Sequence, residues 1–189
     1  MRILIIGATG RTGRHVVAQG IERGHEITAY SRKQTVVDGH ETVTDLASAV
    51  EGQDAVICAI GASDLARRLI PAMRDAGVGR LVMTSSRSVP ATRPRLPVAL
   101  AWLVFRSAYV DLARAEGMLE MSGLDWTVAR GTMLTDKPGV GRVHIDFAAN
   151  ATGGKTTLPR ADYAMALLDA AENPELIGRA LGVCGAQRD

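Results

Sequence analysis

The chain has 189 residues and a mass of 20.0 kDa, enough for one domain whose core needs neither disulfides nor metal. Hydrophobic residues make up 47% and charged residues 22%, which excludes a disordered tail, a collagen-like fibre and a coiled coil. The 22 lysines and arginines exceed the 20 aspartates and glutamates by only +2, so no direct nucleic-acid partner is expected.

Ile3–Ile6 is a continuous apolar run and reads as a buried strand, too short for a signal-peptide core. Arg11 to Arg23 has helical spacing, with Val16, Val17 and Ile21 inward and Gly24 as the stop. His25–Tyr30 reads as a second strand and Glu41–Thr44 as a weak third, followed by a short helix over Ala47 to Glu51. Ala55–Ile60 is a fourth strand. Ser63 to Ala76 is a helix in which Pro71 predicts a kink or a late start.

Arg80–Thr84 is a fifth strand, followed by a proline- and arginine-rich loop over Arg87 to Pro97. A long helix covers Val98 to Met121, and Trp126–Ala129 is a sixth strand. Val140 to Leu158 reads as a hairpin-like or irregular stretch. Asp162 to Glu172 is a last helix and Ala180–Cys184 a last strand. This alternation predicts an α/β fold of the Rossmann type, a doubly wound, mostly parallel sheet with helices on both faces, in a single domain over 1–189. Function is then expected at the carboxyl ends of the strands. The longest other apolar stretch, Val98 to Phe105, cannot span a bilayer, so no membrane partner is expected. Cys58 and Cys184 are far apart and lack metal spacing, which suits a reducing cytoplasm.

The loop after the first strand reads Gly7-Ala8-Thr9-Gly10-Arg11-Thr12-Gly13. Glycines spaced this way between a strand and a helix let a pyrophosphate approach the backbone. The helix start offers free N–H groups and the positive end of its dipole. Thr9 and Thr12 add hydroxyl donors or cap the helix. A dinucleotide is therefore expected. An NAD site carries an acid at the end of the second strand. Here that position holds Ser31, Arg32 and Lys33, with no carboxylate before Asp38. These residues, with Arg11 nearby, suit a 2′-phosphate, and NADP(H) is the expected cofactor.

The segments GATGRTG, GHEITAYSR, GQDAVICAIGA, AGVGRLVMTSS, SGLDWTVARG and LPRADYAMALLDA occur in that order. The series resembles the atypical short-chain dehydrogenase/reductases of the NmrA-like, NAD(P)-binding type, and among them the biliverdin-IXβ reductase/flavin reductase group. The resemblance implies phosphate contacts from Gly10 through Gly13 and a 2′-phosphate contact from Arg32. It implies nicotinamide or ribose contacts from the loops at Ile60, Gly61 and Ala62 and at Thr84 to Ser86. Ser86 falls where the superfamily's catalytic serine stands, with Ser85 as its neighbour. The Tyr-x-x-x-Lys pair of the wider superfamily is missing: Tyr109 is followed four residues on by Ala113. The turn after the sixth strand reads Arg130-Gly131-Thr132 rather than R-P-G, and Met133 stands near the group's histidine. Asp38-Gly39 and Thr44-Asp45 are poor substitutes for the adenine-side Gly-Asp motif.

Without the lysine, carbonyl chemistry loses its acid/base residue. Hydride transfer to a flavin-like or quinone-like ring does not need one, because the ring spreads the charge. The acceptor site is expected from segments 85–109 and 130–158. There Arg87, Arg93, Arg95 and Arg106 suit acceptor carboxylates or phosphates, and Trp102, Phe105 and Tyr109 share a helical face. That face suits stacking on a flat acceptor, core packing or a homodimer seam. His144 is expected to be structural or exposed, Asp162 to cap the last helix and Cys58 to be an inert core thiol. The histidines have no metal spacing, and no metal is expected. The alternative to a reductase is a non-catalytic NADP(H) sensor that acts through protein partners. A sugar-nucleotide epimerase would need the missing pair and a larger substrate domain.

Overall fold

The computed structural model describes residues 1–187; residues 188 and 189 of the expected single domain lie outside the described residues. The elements in chain order are β1 (Arg2–Ile6), α1 (Arg11–Glu22), β2 (Glu26–Tyr30), β3 (Val36–Val37), β4 (His40–Glu41), α2 (Leu46–Val50) and β5 (Ala55–Cys58). Then follow α3 (Ser63–Asp75), β6 (Arg80–Ser86), α4 (Arg95–Glu120), β7 (Asp125–Gly131) and β8 (Met133–Thr135). The chain ends with β9 (Val143–Asp146), β10 (Thr157–Pro159), α5 (Arg160–Glu172), a 3₁₀ turn over Pro174–Leu176 and β11 (Arg179–Gly185).

Seven strands among the described residues form one sheet in the order β2-β1-β5-β6-β7-β11-β9. All neighbours in it are parallel except β9, which runs antiparallel to β11 at the edge. The continuous apolar runs of β1 and β5 follow from burial on both faces. Ile3 and Ile5 face a core shared with Val16 and Val17 of α1 and Tyr163 and Leu167 of α5. Leu4 and Ile6 face the opposite core, which holds Leu69 and Met73 of α3 and Leu119 of α4. Helices thus cover both faces, and the strand order reverses between β1 and β5, where such folds bind ligands.

Three local expectations are corrected. The weak third strand is instead a two-residue hairpin, β3–β4, followed by a single parallel bridge from Val43 to Tyr30. Asp38 and Gly39 make its turn with φ of 48° and 82°, and Asp45 caps α2 by accepting from the Ser48 N–H at 2.8 Å. Both poor substitutes for the adenine-side motif are thus occupied with local structure. The α3 helix starts at Ser63 and runs through Pro71. Asp111 of α4 receives the Ser63 N–H at 3.2 Å and its hydroxyl as well, which settles the helix start. The stretch over 140–158 is neither a hairpin nor wholly irregular. It supplies β9 to the main sheet and β10 as the parallel partner of β8.

Candidate functional site

The glycine loop leaves β1 at Gly7, which has φ of 84°. Gly10 begins α1, and no side chain among the described residues caps the helix start. Of the two roles expected for Thr9 and Thr12, the cap is not formed, so the first amides of α1 have no side-chain partner among the described residues. Gly13 is required by contact, since a Cβ there would lie 2.0 Å from the Gly7 carbonyl oxygen. Any larger residue would lift the helix from the loop.

A cavity of about 740 Å³ opens beside this loop at the strand-order reversal. Ile6, Gly7 and Thr9 line it from the β1 end, and Ile60 and Ala62 from the β5 end. Tyr30, Ser31, Arg32 and Lys33 come from the β2 end. The cation loop is held in place. Val43 accepts the Ser31 N–H at 3.1 Å, and the buried Thr42 hydroxyl accepts the Thr35 N–H at 3.0 Å. Asp64 and Arg68 of α3 also line the cavity and pair with each other at 3.2 Å. Sequence reading missed Arg68, which looks like any exposed helical arginine until the fold turns its face toward the β2 loop. Arg11 instead extends to Asp136 at 3.1 Å, which Arg160 also grips at 2.7 Å.

The second half of the site lies at the ends of β6 and β7. Gly61 packs against the Thr84 carbonyl, which brings the fourth-strand loop beside β6. Ser85 donates its hydroxyl to Glu116 at 2.5 Å. Glu116 is buried and clasped by Arg130 through Nη2 at 2.6 Å and Nε at 3.2 Å. This Ser85–Glu116–Arg130 cluster has no signal in the sequence, where Glu116 reads as one more helical carboxylate. Ser86 is differently placed: its oxygen accepts the Ser88 N–H at 3.2 Å, which leaves its own hydrogen for another acceptor.

Arg87 is a correction. Rather than facing an acceptor's carboxylate or phosphate, it is buried and paired to Asp146 at 2.6 Å. Its guanidinium lies on Gly182, where a Cβ would fall 1.0 Å from Nη1. Burial pushes the Asp146 carboxyl up, but the bonds from Arg87 and from the Thr152 N–H and hydroxyl outweigh it and hold it below the ordinary value. Arg93, Arg95 and Asn150 line a separate open hollow. Asn150 accepts the N–H groups of Thr92 and Arg93 at 2.9 and 2.8 Å, so segments 85–109 and 130–158 do meet.

Trp102 contacts Tyr109 edge-on with ring centres 5.4 Å apart, and its indole donates to Ser88 O at 2.9 Å. The expected cap at Asp162 is also corrected: its buried carboxylate receives Val140 and Gly141 N–H at 2.9 Å and fixes that loop. Tyr163 donates to Ala129 O at 2.6 Å, and burial holds its hydroxyl well above the ordinary range, unfit for proton transfer near neutral pH. Cys58 is buried, with its thiol pushed up to about 12. His144 stands 3.8 Å from Asp146. The described residues contain no cluster of metal-ligating side chains and no helix long and apolar enough to cross a membrane.

Comparisons with known proteins agree with this geometry. A family model described as NAD(P)H-binding matches residues 7–174. The uncharacterised protein YwnB of Bacillus subtilis is 27% identical over 93% of this chain and 94% of its own. A solved structure from Streptococcus pneumoniae, proposed to be an NADH-flavin reductase, superposes with a TM-score of 0.80 at 22% identity, covering 98% of this chain and 99% of that one. A short-chain dehydrogenase/reductase from Veillonella parvula, solved in complex with NADP, has a TM-score of 0.80 at 21% identity and covers 97% and 94%. The match over residues 7–174, set beside the glycine loop and the switch-point cavity, places the chain in the NAD(P)H-binding family.

Proposed function

We propose that the protein is an NADP(H)-dependent oxidoreductase that passes hydride to a flat conjugated acceptor, a flavin- or quinone-like ring. The observation that supports the coenzyme choice is the cavity beside β1. It joins Gly7 and Thr9 of the glycine loop to Ser31, Arg32, Lys33 and Arg68, with no carboxylate at the end of β2. Gly7, Thr9, Gly10, Arg11, Thr12 and Gly13 would hold the diphosphate, and Ser31, Arg32 and Lys33 the 2′-phosphate. Ile60, Gly61, Ala62 and Thr84 would flank the nicotinamide end. The bound coenzyme supplies the hydride.

The chain's own part is alignment. The Ser86 hydroxyl has a hydrogen to donate and would orient the coenzyme's carboxamide or the acceptor; Ser85 already spends its hydrogen on Glu116. Ala113 stands where the lysine would, so the Tyr-x-x-x-Lys acid/base pair is not formed around Tyr109. A ring acceptor suits that lack because the single proton that balances the hydride can come from water after the transfer. Buried free thiols at Cys58 and Cys184 suit a reducing cytoplasm.

Ala113 also favours a second reading, a non-catalytic NADP(H) sensor acting through protein partners. The test is to mix the purified protein with NADPH and free flavin mononucleotide and follow NADPH absorbance. Turnover that is lost in Ser86→Ala supports the reductase. Tight NADPH binding with no oxidation by several flavins and quinones supports the sensor and overturns the reductase.

A further inference from the structure

The first ten residues of α4 form an arm of their own. Phe105 leaves helical geometry at φ −114° and ψ 22°, which bends the helix between the arm and the portion packed on the sheet. On the arm, Trp102 turns inward to Ser88 and Tyr109. Leu96, Leu100, Leu103 and Val104 follow the i, i+4, i+7, i+8 spacing of one face, and that face points away from the protein. Leu96 is 84% exposed and Leu103 79%. A contiguous aliphatic stripe of this kind marks an interaction surface.

The charges around the stripe choose its occupant. Arg95 and Arg106 bracket it, and Arg93 and Arg95 line the open hollow that reaches Leu96. Between Asp75 and Asp111 the chain has no acidic residue at all. A two-fold pairing of two copies along this stripe would set Arg95 of one against Arg106 of the other, like charge on like. A surface that is apolar inside and anionic outside complements both features. That is the chemistry of a bilayer containing acidic phospholipids.

We propose that the α4 arm docks on an anionic phospholipid bilayer, its four aliphatic side chains entering the acyl boundary while Arg93, Arg95 and Arg106 meet headgroup phosphates. Lying on a membrane needs no spanning helix, and the inference does not rest on the catalytic reading.

The test is co-sedimentation of the full chain with vesicles of phosphatidylcholine alone or of equimolar phosphatidylcholine and phosphatidylglycerol. Binding is expected to be about tenfold stronger to the acidic vesicles and to weaken as salt rises from about 0.05 to about 0.5 M. Leu100→Glu with Leu103→Glu should abolish it. Because both positions are exposed, NADPH titration should show that this variant still folds and loads. Arg93→Ala with Arg95→Ala should remove most of the preference for acidic lipid. Failure to pellet with acidic vesicles overturns the proposal, as does pelleting that survives the double glutamate variant. So does a wild-type dimer in sedimentation velocity that the glutamates dissolve, since the stripe would then be a seam between copies. Loss of NADPH binding by wild type would instead strike the coenzyme assignment and leave this one standing.

Discussion

Arg87 and Asp146 lie 59 residues apart in sequence and meet in a buried ion pair at 2.6 Å. Asp146 also receives the Ala148 N–H at 3.1 Å and the Thr152 N–H and hydroxyl at 3.2 and 3.0 Å. One carboxylate therefore ties the strap after β6 to β9 and its following loop. Arg87 Nε and Nη1 are buried and find no other partner among the described residues. Removing Asp146 would leave a buried cation wholly uncompensated. Asp146→Ala should lower the free energy of unfolding by about 3–5 kcal/mol, read by urea denaturation with NADPH absent. A loss below about 1 kcal/mol would mean that the pair is open to water.

The same carboxylate sets a pH dependence. Its folded pKa lies below the unfolded value of about 3.9. The stability it contributes is complete above the unfolded value and disappears as pH falls through the lower folded one. Melting temperature should fall more steeply below about pH 4 in wild type than in an Arg87→Met, Asp146→Leu double variant, which has no charge to protonate there. Parallel acid limbs would refute the assignment.

Coenzyme preference should divide unequally between Arg32 and Arg68. Arg32 has no partner to offset its charge among the ion pairs of the described residues, whereas Arg68 is half-answered by Asp64 at 3.2 Å. Arg32→Ala should raise the Kd for NADPH by about 10- to 100-fold and leave NADH within about threefold. Arg68→Ala should show the same selectivity with about a 3- to 10-fold loss. Fluorescence titration of each variant with both coenzymes checks this, and equal losses for NADPH and NADH would refute the 2′-phosphate role.

The two adjacent serines should separate. Ser85→Ala frees one oxygen of Glu116, which Arg130 still holds, so the loss should be about 1 kcal/mol of stability with kcat little changed. Ser86→Ala should leave stability alone and cut kcat by about tenfold or more. The reverse pattern would transfer the catalytic candidacy to Ser85.

Gly13→Ala tests the loop directly. Its Cβ would fall 2.0 Å from the Gly7 oxygen, so α1 must shift. NADPH binding should be lost below detection while the far-ultraviolet circular dichroism remains that of a folded α/β protein.

Much of this architecture can be read from local pattern. Ile3–Ile6, the glycine loop and Val16–Val17 announce themselves through run length, glycine spacing and helical period, and all three fall where expected. The basic end of β2 was equally plain, because an acid that should follow the strand is absent. What stayed hidden is long-range polar pairing. Nothing near Glu116 points to Ser85 31 residues away, or near Arg87 to Asp146. Such pairs carry no period, and each partner alone resembles a surface charge. Arg68 was missed for a related reason: its helix has a clear apolar face, but only the sheet order shows what the polar face overlooks. The hairpin at 36–41 escaped because two-residue strands leave no alternation to detect.

No side chain caps the start of α1 among the described residues. Under the proposed reading the coenzyme's phosphates would take that place, which couples binding to stability. Thermal midpoints should climb with the logarithm of free NADPH, and in a cell whose reduced coenzyme runs low the emptied chains would be the first that proteases clear.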